Sequence, residues 1–288
     1  MPGPRPRILH PSTRTHTSPT MTDTSIPAVS DASDVSDETA FDAYRRSPEA
    51  AALLERHRAV LQRMALAERA AGRPEGSVTL IAVGKTFPFA CERLLYEAGA
   101  RNFGENYVQE GVEKSRGMAL LAPAEDRPAW HLIGTLQSNK TAAAATAFDW
   151  VHSVDRLKIA RRLSEARLAA GLPPLEILLE VNADDEEGKG GVDFAELPAL
   201  ADAVAPLAGV RLRGLMAIPD PTLSETLRRN AFERVARAFE ALRAAHPELP
   251  VDTLSMGMTH DLEWAVEAGS TMVRVGTAIF GPRDYSRR

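Results

Sequence analysis

One cysteine, Cys91, in 288 residues excludes an internal disulfide and any cysteine-rich metal site. No apolar run approaches the ~18 to 20 residues that a helix needs to cross a bilayer, so no membrane partner is expected. Basic charge is also short. The chain carries 34 Lys and Arg against 39 Asp and Glu, a formal charge of −5, which removes the electrostatic footprint of a nucleic-acid binder. What remains is 44% hydrophobic and 25% charged, the balance of an ordinary globular protein, and the cytoplasm is its expected location. Cys91 shares helical spacing with Leu94, Leu95 and Ala98 and reads as a packing residue.

Residues 1–40 differ from the rest. "MPGPRPRILHPSTRTHTSPTM" has no acidic residue and no apolar periodicity, and its longest apolar stretch is Ile8 and Leu9, too short for a secretory signal. Its prolines oppose the amphipathic helix of a transit peptide. The expectation is a disordered extension, an over-long start with Met21 as an alternative initiator, followed by one ordered domain over 41–288.

Order is expected from near Asp42, with a first helix that stops at Gly72. Strand-like runs then alternate with helix-like ones: "SVTLIAVGKT", "RNFGE", "AWHLIGT", "WVHSVD", "PLEILLEVN", "VRLRGLMAIP", "DTLSMGM" and "TMVRVGTAIFG". Eight such strands with helices between them are the pattern of an α/β fold, a single (β/α)8 TIM barrel. An open doubly wound sheet is the alternative.

The stretch "LIAVGKTFPF" ends an apolar strand in a lysine. Alternation puts Thr79, Ile81, Val83 and Lys85 on one face and Leu80, Ala82 and Gly84 on the other. Lys85 therefore falls at the C-terminal rim of the first strand, where barrels carry their chemistry, and partial desolvation there would free its amine to attack an aldehyde. "VGKT" is not a nucleotide loop, because the first glycine of that motif would fall on Thr79. After strands seven and eight, Ser255, Gly257, Met258, Thr259, Gly276 and Thr277 supply the glycines and hydroxyls of a phosphate cup. An amine on one side and an anion cup on the other describe an aldehyde-bearing phosphate ester. Pyridoxal 5′-phosphate has both groups.

"AVGKT", "FGENYVQE", "WHLIGTLQSNK", "RGLMAIP", "LSMGMTHDLEWAVEAGSTMVRVGTAIFG" and "RDYS" together resemble the YggS/PROSC family of pyridoxal phosphate homeostasis proteins, over about residues 45–286. The resemblance implies a barrel similar to the N-terminal domain of bacterial alanine racemase, with the cofactor as a Schiff base on Lys85. It also implies that Ser255, Thr259, Gly276 and Thr277 hold the phosphate, that Arg274 lies near the pyridine nitrogen, and that Asn106 and Met216 line the ring. An arginine there disfavours a protonated ring and weakens it as an electron sink. Gly84, Phe87 and His260 depart from the family pattern, which would have serine, a second lysine and a small or acidic residue.

A racemase on this fold needs two bases, the second a tyrosine from a separate domain of the partner subunit. Here the tyrosines are Tyr44, Tyr96, Tyr107 and Tyr285, and only Tyr107 falls near the expected mouth. The expectation is therefore a monomeric carrier that maintains the cofactor supply, with transient contact to apo enzymes, and a weak racemase as the alternative. Trp130 and His131 read as packing residues. His152 and Asp155 fit an acid/base pair or strand-end hydrogen bonding, and "NADDEEGKGG" a mobile solvated loop in which Lys189 could touch cofactor. Arg161, Arg228 and Arg234 read as solvated helix faces.

Overall fold

Eight short parallel strands pair in chain order: β1 (Thr79–Val83), β2 (Asn102–Glu105), β3 (Ala129–Leu132), β4 (Trp150–Val154), β5 (Leu175–Val181), β6 (Val210–Ala217), β7 (Thr253–Ser255) and β8 (Met272–Val275). The last closes on the first through Thr79 to Ala82 against Met272 to Val275. This computed structural model describes residues 38–186 and 188–282. The 1–37 extension with Met21, and the terminal stretch with Tyr285, lie outside the described residues. The closed barrel is the fold expected from the alternation.

Helices α1 (Glu38–Arg45) and α2 (Pro48–Ala70) precede β1. The first begins four residues before Asp42, the expected onset, because Phe41 and Tyr44, three apart, both bury and Glu38 pairs with Arg93. Ser47 caps α2 by accepting the Ala50 N–H at 3.1 Å, with Pro48 at the first helical position. The crossovers carry α3 (Phe89–Glu97), α4 (Val108–Leu121), α5 (Thr141–Ala147), α6 (Leu157–Ala169), α7 (Leu197–Val204), α8 (Glu225–Ala245) and α9 (Leu262–Glu267), and α10 (Thr277–Phe280) follows β8. Each connection between successive strands thus carries a helix, as the alternation expects. No helix among the described residues is long and apolar enough to cross a membrane.

The molecule has two interiors. Outside the strands, residues such as Phe103, Phe148, Leu163 and Phe232 pack strands against helices. Inside the ring, the apolar cluster is only Ile81, Val83, Ile133 and Met272, with Trp150 against it. At the N-terminal end of the strands Arg213 lies 5.1 Å over Trp150 and pairs with Glu176 and Asp252, which closes that end. At the other end α2 ties down the loops: Arg56 donates to Ile279 O at 2.6 Å and Arg63 to Thr259 O at 3.1 Å.

Candidate functional site

At the C-terminal end of β1 the Phe87 N–H donates to Gly84 O at 3.0 Å and closes a four-residue turn. Lys85 is its second residue and half-buried; Thr86 is its third, with φ 68°, the left-handed region that type II turns use at that place. Ile81 and Val83 belong to the inner cluster whereas Ala82 packs outside, so the alternation that aimed Lys85 inward holds along the strand. Gly84 leaves room for the end of the Glu92 side chain: a Cβ there would lie 2.7 Å from its carboxyl carbon. Phe87 packs on Phe280, ring centroids 5.2 Å apart, and His260 is exposed.

Arg274, on the neighbouring β8, points into the barrel and is 3% exposed. Its guanidinium donates to Ser255 O and Ser255 Oγ, both at 2.7 Å, and to Ala217 O at 2.9 Å. From there a chain of 3.0 Å hydrogen bonds crosses the barrel: Ser255 Oγ to His152 Nδ1, His152 Nε2 to His131 Nδ1, His131 Nε2 to Asn102 Oδ1. Its ends set its direction. Arginine only donates and the Asn102 oxygen only accepts, so each imidazole is neutral and donates toward Asn102, and Ser255 gives its proton to His152. Burial pushes His131 down to about 3 and His152 well below the usual histidine range, with His131 and Arg274 adding to the latter. Burial also lowers Arg274, to about 10, against the opposing pull of Glu180 and Asp261, so it remains a cation at neutral pH.

The loops after β7 and β8 meet beside this arginine. Arg274 N–H donates to Gly257 O at 3.0 Å and Ala278 N–H to Thr259 Oγ1 at 3.3 Å. Gly257 has φ 92°, and a Cβ there would lie 2.5 Å from that of Ala265, so the loop can lie against α9 only as glycine. Gly276 and Thr277 lead into α10, and Thr277 is exposed. Two of the expected cup donors are already committed: the Met258 N–H to Asp261 Oδ1 at 2.7 Å, and the Ser255 hydroxyl to His152. Thr259 Oγ1 accepts from Ala278 and keeps its own proton to donate. Met216 is fully buried on β6, in register with Glu180 on one side and Ser255 on the other. Asn106 follows β2, pressed against Gly134, where a Cβ would come 2.8 Å from the Asn106 Cα. The structure thus gathers Ser255, Gly257, Thr259, Arg274 and Gly276 on two adjoining strand ends, next in the ring to Lys85.

Other expectations change. His152 pairs with His131 and Ser255, while Asp155 pairs with Arg156 at 2.7 Å, so the two form no acid/base couple. Trp130 packs outward against Phe103, and His131 is the inward residue of β3. Arg228 is no solvated residue; it stacks 4.7 Å over Trp264 and pairs with Asp261, because α8 lies against α9 there. Arg234 pairs with Asp185 and covers Phe194. Lys189 is held by Asp184 at 2.7 Å, and Asn182 bonds twice to the Glu186 backbone, which folds the loop on itself. Glu180 escaped the sequence reading, although a carboxylate inside a parallel strand is itself a signal. Burial first, then Asp155, raise it to about 7, with Arg274 and Lys189 opposing.

A family model described as alanine racemase, N-terminal domain, matches residues 58–284. The chain is 48% identical over 229 residues to the pyridoxal phosphate homeostasis protein of Escherichia coli, with 80% of this chain and 96% of that one covered. It is 51% identical over 226 residues to the protein of that name in Pseudomonas aeruginosa, covering 78% and 94%. The solved structure of PipY from Synechococcus elongatus with PLP bound matches with a TM-score of 0.65 at 37% identity, covering 80% of this chain and 100% of PipY.

Proposed function

This chain belongs to the family of pyridoxal phosphate homeostasis proteins, and from that premise we propose that it holds pyridoxal 5′-phosphate as a Schiff base on Lys85 and keeps it in supply for other proteins of the cytoplasm. The observation that carries the reading is the neighbourhood of Lys85 at the inner rim of β1: a buried cation and two glycine- and hydroxyl-bearing loops on the strands that close the ring. The donor set fits the group. Thr259, Thr277 and the backbone at Gly257 and Gly276 would hold the phosphate, Arg274 would serve an acceptor nitrogen, and Asn106 and Met216 would line the ring. Ser255 serves this site through Arg274, and Met258 by shaping its loop, since the proton of each is committed elsewhere.

When bound, the cofactor supplies an electrophilic aldehyde and an electron-withdrawing ring. Arg274 keeps its proton at neutral pH, so toward a ring nitrogen it would act as a hydrogen-bond donor and not as an acid. The side chains hydrogen-bonded in line behind it, Ser255, His152, His131 and Asn102, are neutral, and none of them is an acid. That arrangement suits holding a cofactor better than driving carbanion chemistry. Among the described tyrosines, Tyr44 is buried on Cys91 and Tyr96 bonds to Asp126, which commits both away from the mouth, while Tyr107 is half-exposed. The chain works as a monomeric carrier that meets its apo-enzyme recipients transiently.

The test is the visible absorption spectrum of the chain and of Lys85→Ala, before and after borohydride reduction, with the adduct located by peptide mass. A band in the parent alone and an adduct on Lys85 support the reading; an adduct on Lys140 or Lys189 overturns it. A racemase reading has one observation in its favour, the Glu180 carboxyl raised to about 7 beside the arginine. Racemisation of a free amino acid that disappears in Glu180→Gln would replace the carrier reading.

A further inference from the structure

Four ionisable side chains from three elements meet behind the Lys85 turn, and burial raises the carboxyls of Glu92 and Glu105 above the ordinary range. The Lys114 ammonium, on α4, donates to Glu105 Oε1 of β2 at 2.7 Å, to Glu92 Oε1 of α3 at 3.3 Å and to the Gly84 carbonyl at 2.9 Å, and lies 3.0 Å from Glu110 Oε1. Glu110 Oε1 also accepts the Thr86 N–H at 2.6 Å. Glu92 and Glu105 are fully buried and Lys114 is 5% exposed. Burial works against the Lys114 proton, but Glu92, Glu105 and Glu110 outweigh it and raise its pKa, so it stays charged.

A buried ion cluster by itself is weak evidence even for stability. What singles this one out is where its bonds end. One grips the carbonyl before Lys85, the other the amide after it, and between them they hold Thr86 at a positive φ that a β-branched residue adopts only when its surroundings impose it. Gly84 has no side chain to keep Glu92 away from this grip.

We propose that Lys114 and Glu110 are positioning residues for Lys85: they fix the turn from behind and aim the amine into the barrel before any ligand arrives. This rests on the reading that Lys85 holds the cofactor, and it adds that the amine is preorganised.

The experiment compares the full-length chain with Glu110→Ala, Glu110→Gln and Lys114→Met. The first readout is titration of the Lys85 absorption band with pyridoxal 5′-phosphate. The second, on cofactor-free chain, is the rate of acetylation of Lys85 relative to exposed Lys158, followed by peptide mass. Glu110→Ala and Lys114→Met are expected to weaken binding by roughly 10- to 100-fold and to change the labelling ratio, since misplacement of a reacting group by about 1 Å has effects of that size. Glu110→Gln, which keeps an acceptor for the Thr86 amide, restores most of both. Should Lys114→Met not fold, Glu110→Ala decides alone, because its side chain is 22% exposed at the edge of the cluster. Binding within twofold of the parent together with an unchanged labelling ratio overturns the proposal. A parent that loads nothing on Lys85 overturns the functional reading instead, and the labelling ratio in the cofactor-free chain still decides whether the cluster aims the amine.

Discussion

Between strands and helices this barrel is packed with hydrocarbon; inside the ring of strands it is not. The outer layer buries Phe103, Phe148, Leu163 and Phe232 essentially completely. The inner one gives its middle to Arg274, Ser255, His152, His131 and Asn102, joined end to end. Burying polar groups is tolerable only when each finds a partner, and a one-directional chain from a donor-only arginine to an acceptor-only amide oxygen meets that condition without a second charge. The difference separates two jobs: the outer layer carries the fold, and the inner one gives up apolar burial to hold one cation facing the mouth.

The largest effect should come from breaking the outer layer. Phe232→Ala is expected to lower stability by about 3–5 kcal/mol in urea unfolding, the usual cost of emptying a large buried aromatic site, while the folded fraction binds cofactor as the parent does. A loss of affinity larger than the loss of stability would mean that the layers are not separable. Breaking the inner layer costs less. His131→Leu leaves the Asn102 oxygen without its donor and the His152 N–H without its acceptor, about 2 kcal/mol after the gain from the leucine's own burial. Because Arg274 keeps its bonds to Ser255 and Ala217, the absorption band should persist; its disappearance would show that the arginine depends on the whole chain.

The two layers also differ in how much of them the sequence discloses. The outer one repeats a period, so strand and helix alternation was readable, and so was the facing of Ile81 and Val83 into the ring and Ala82 out of it, because a parity count along one strand needs no neighbours. The inner chain was not. His131 and His152 lie on adjacent strands, and only the β3–β4 register brings them together. That same contact commits the Ser255 hydroxyl, whose sequence context had suggested a phosphate donor. Glu110 and Lys114 mislead more directly, since a Glu-to-Lys pair four residues apart is the signature of a solvated helix face. Here α4 turns that face inward, and Gly111 lets it do so: a Cβ there would lie 2.7 Å from Phe148 Cε1.

The effect smallest per step of pH sharpens the comparison at the mouth, where the inner layer meets water. Burial holds the Glu180 carboxyl up at about 7, against an ordinary value of about 4.3 in an unfolded chain. Between those values the folded chain binds a proton that the unfolded one has lost, so the contribution of Glu180 to stability is full below pH 4.3 and drains away as the pH rises to 7. His131 and His152 act in the opposite sense, since their folded values are depressed and their contribution is lost as the pH falls. Both are common to parent and Glu180→Gln and cancel in the difference. The stability of the parent relative to Glu180→Gln should therefore fall by at most about 1.4 kcal/mol per pH unit across that window, read from urea midpoints between pH 4 and 8. A flat difference would mean that Glu180 titrates as an exposed carboxyl. The inner layer would then end at Arg274, and the one observation favouring racemase chemistry would go with it.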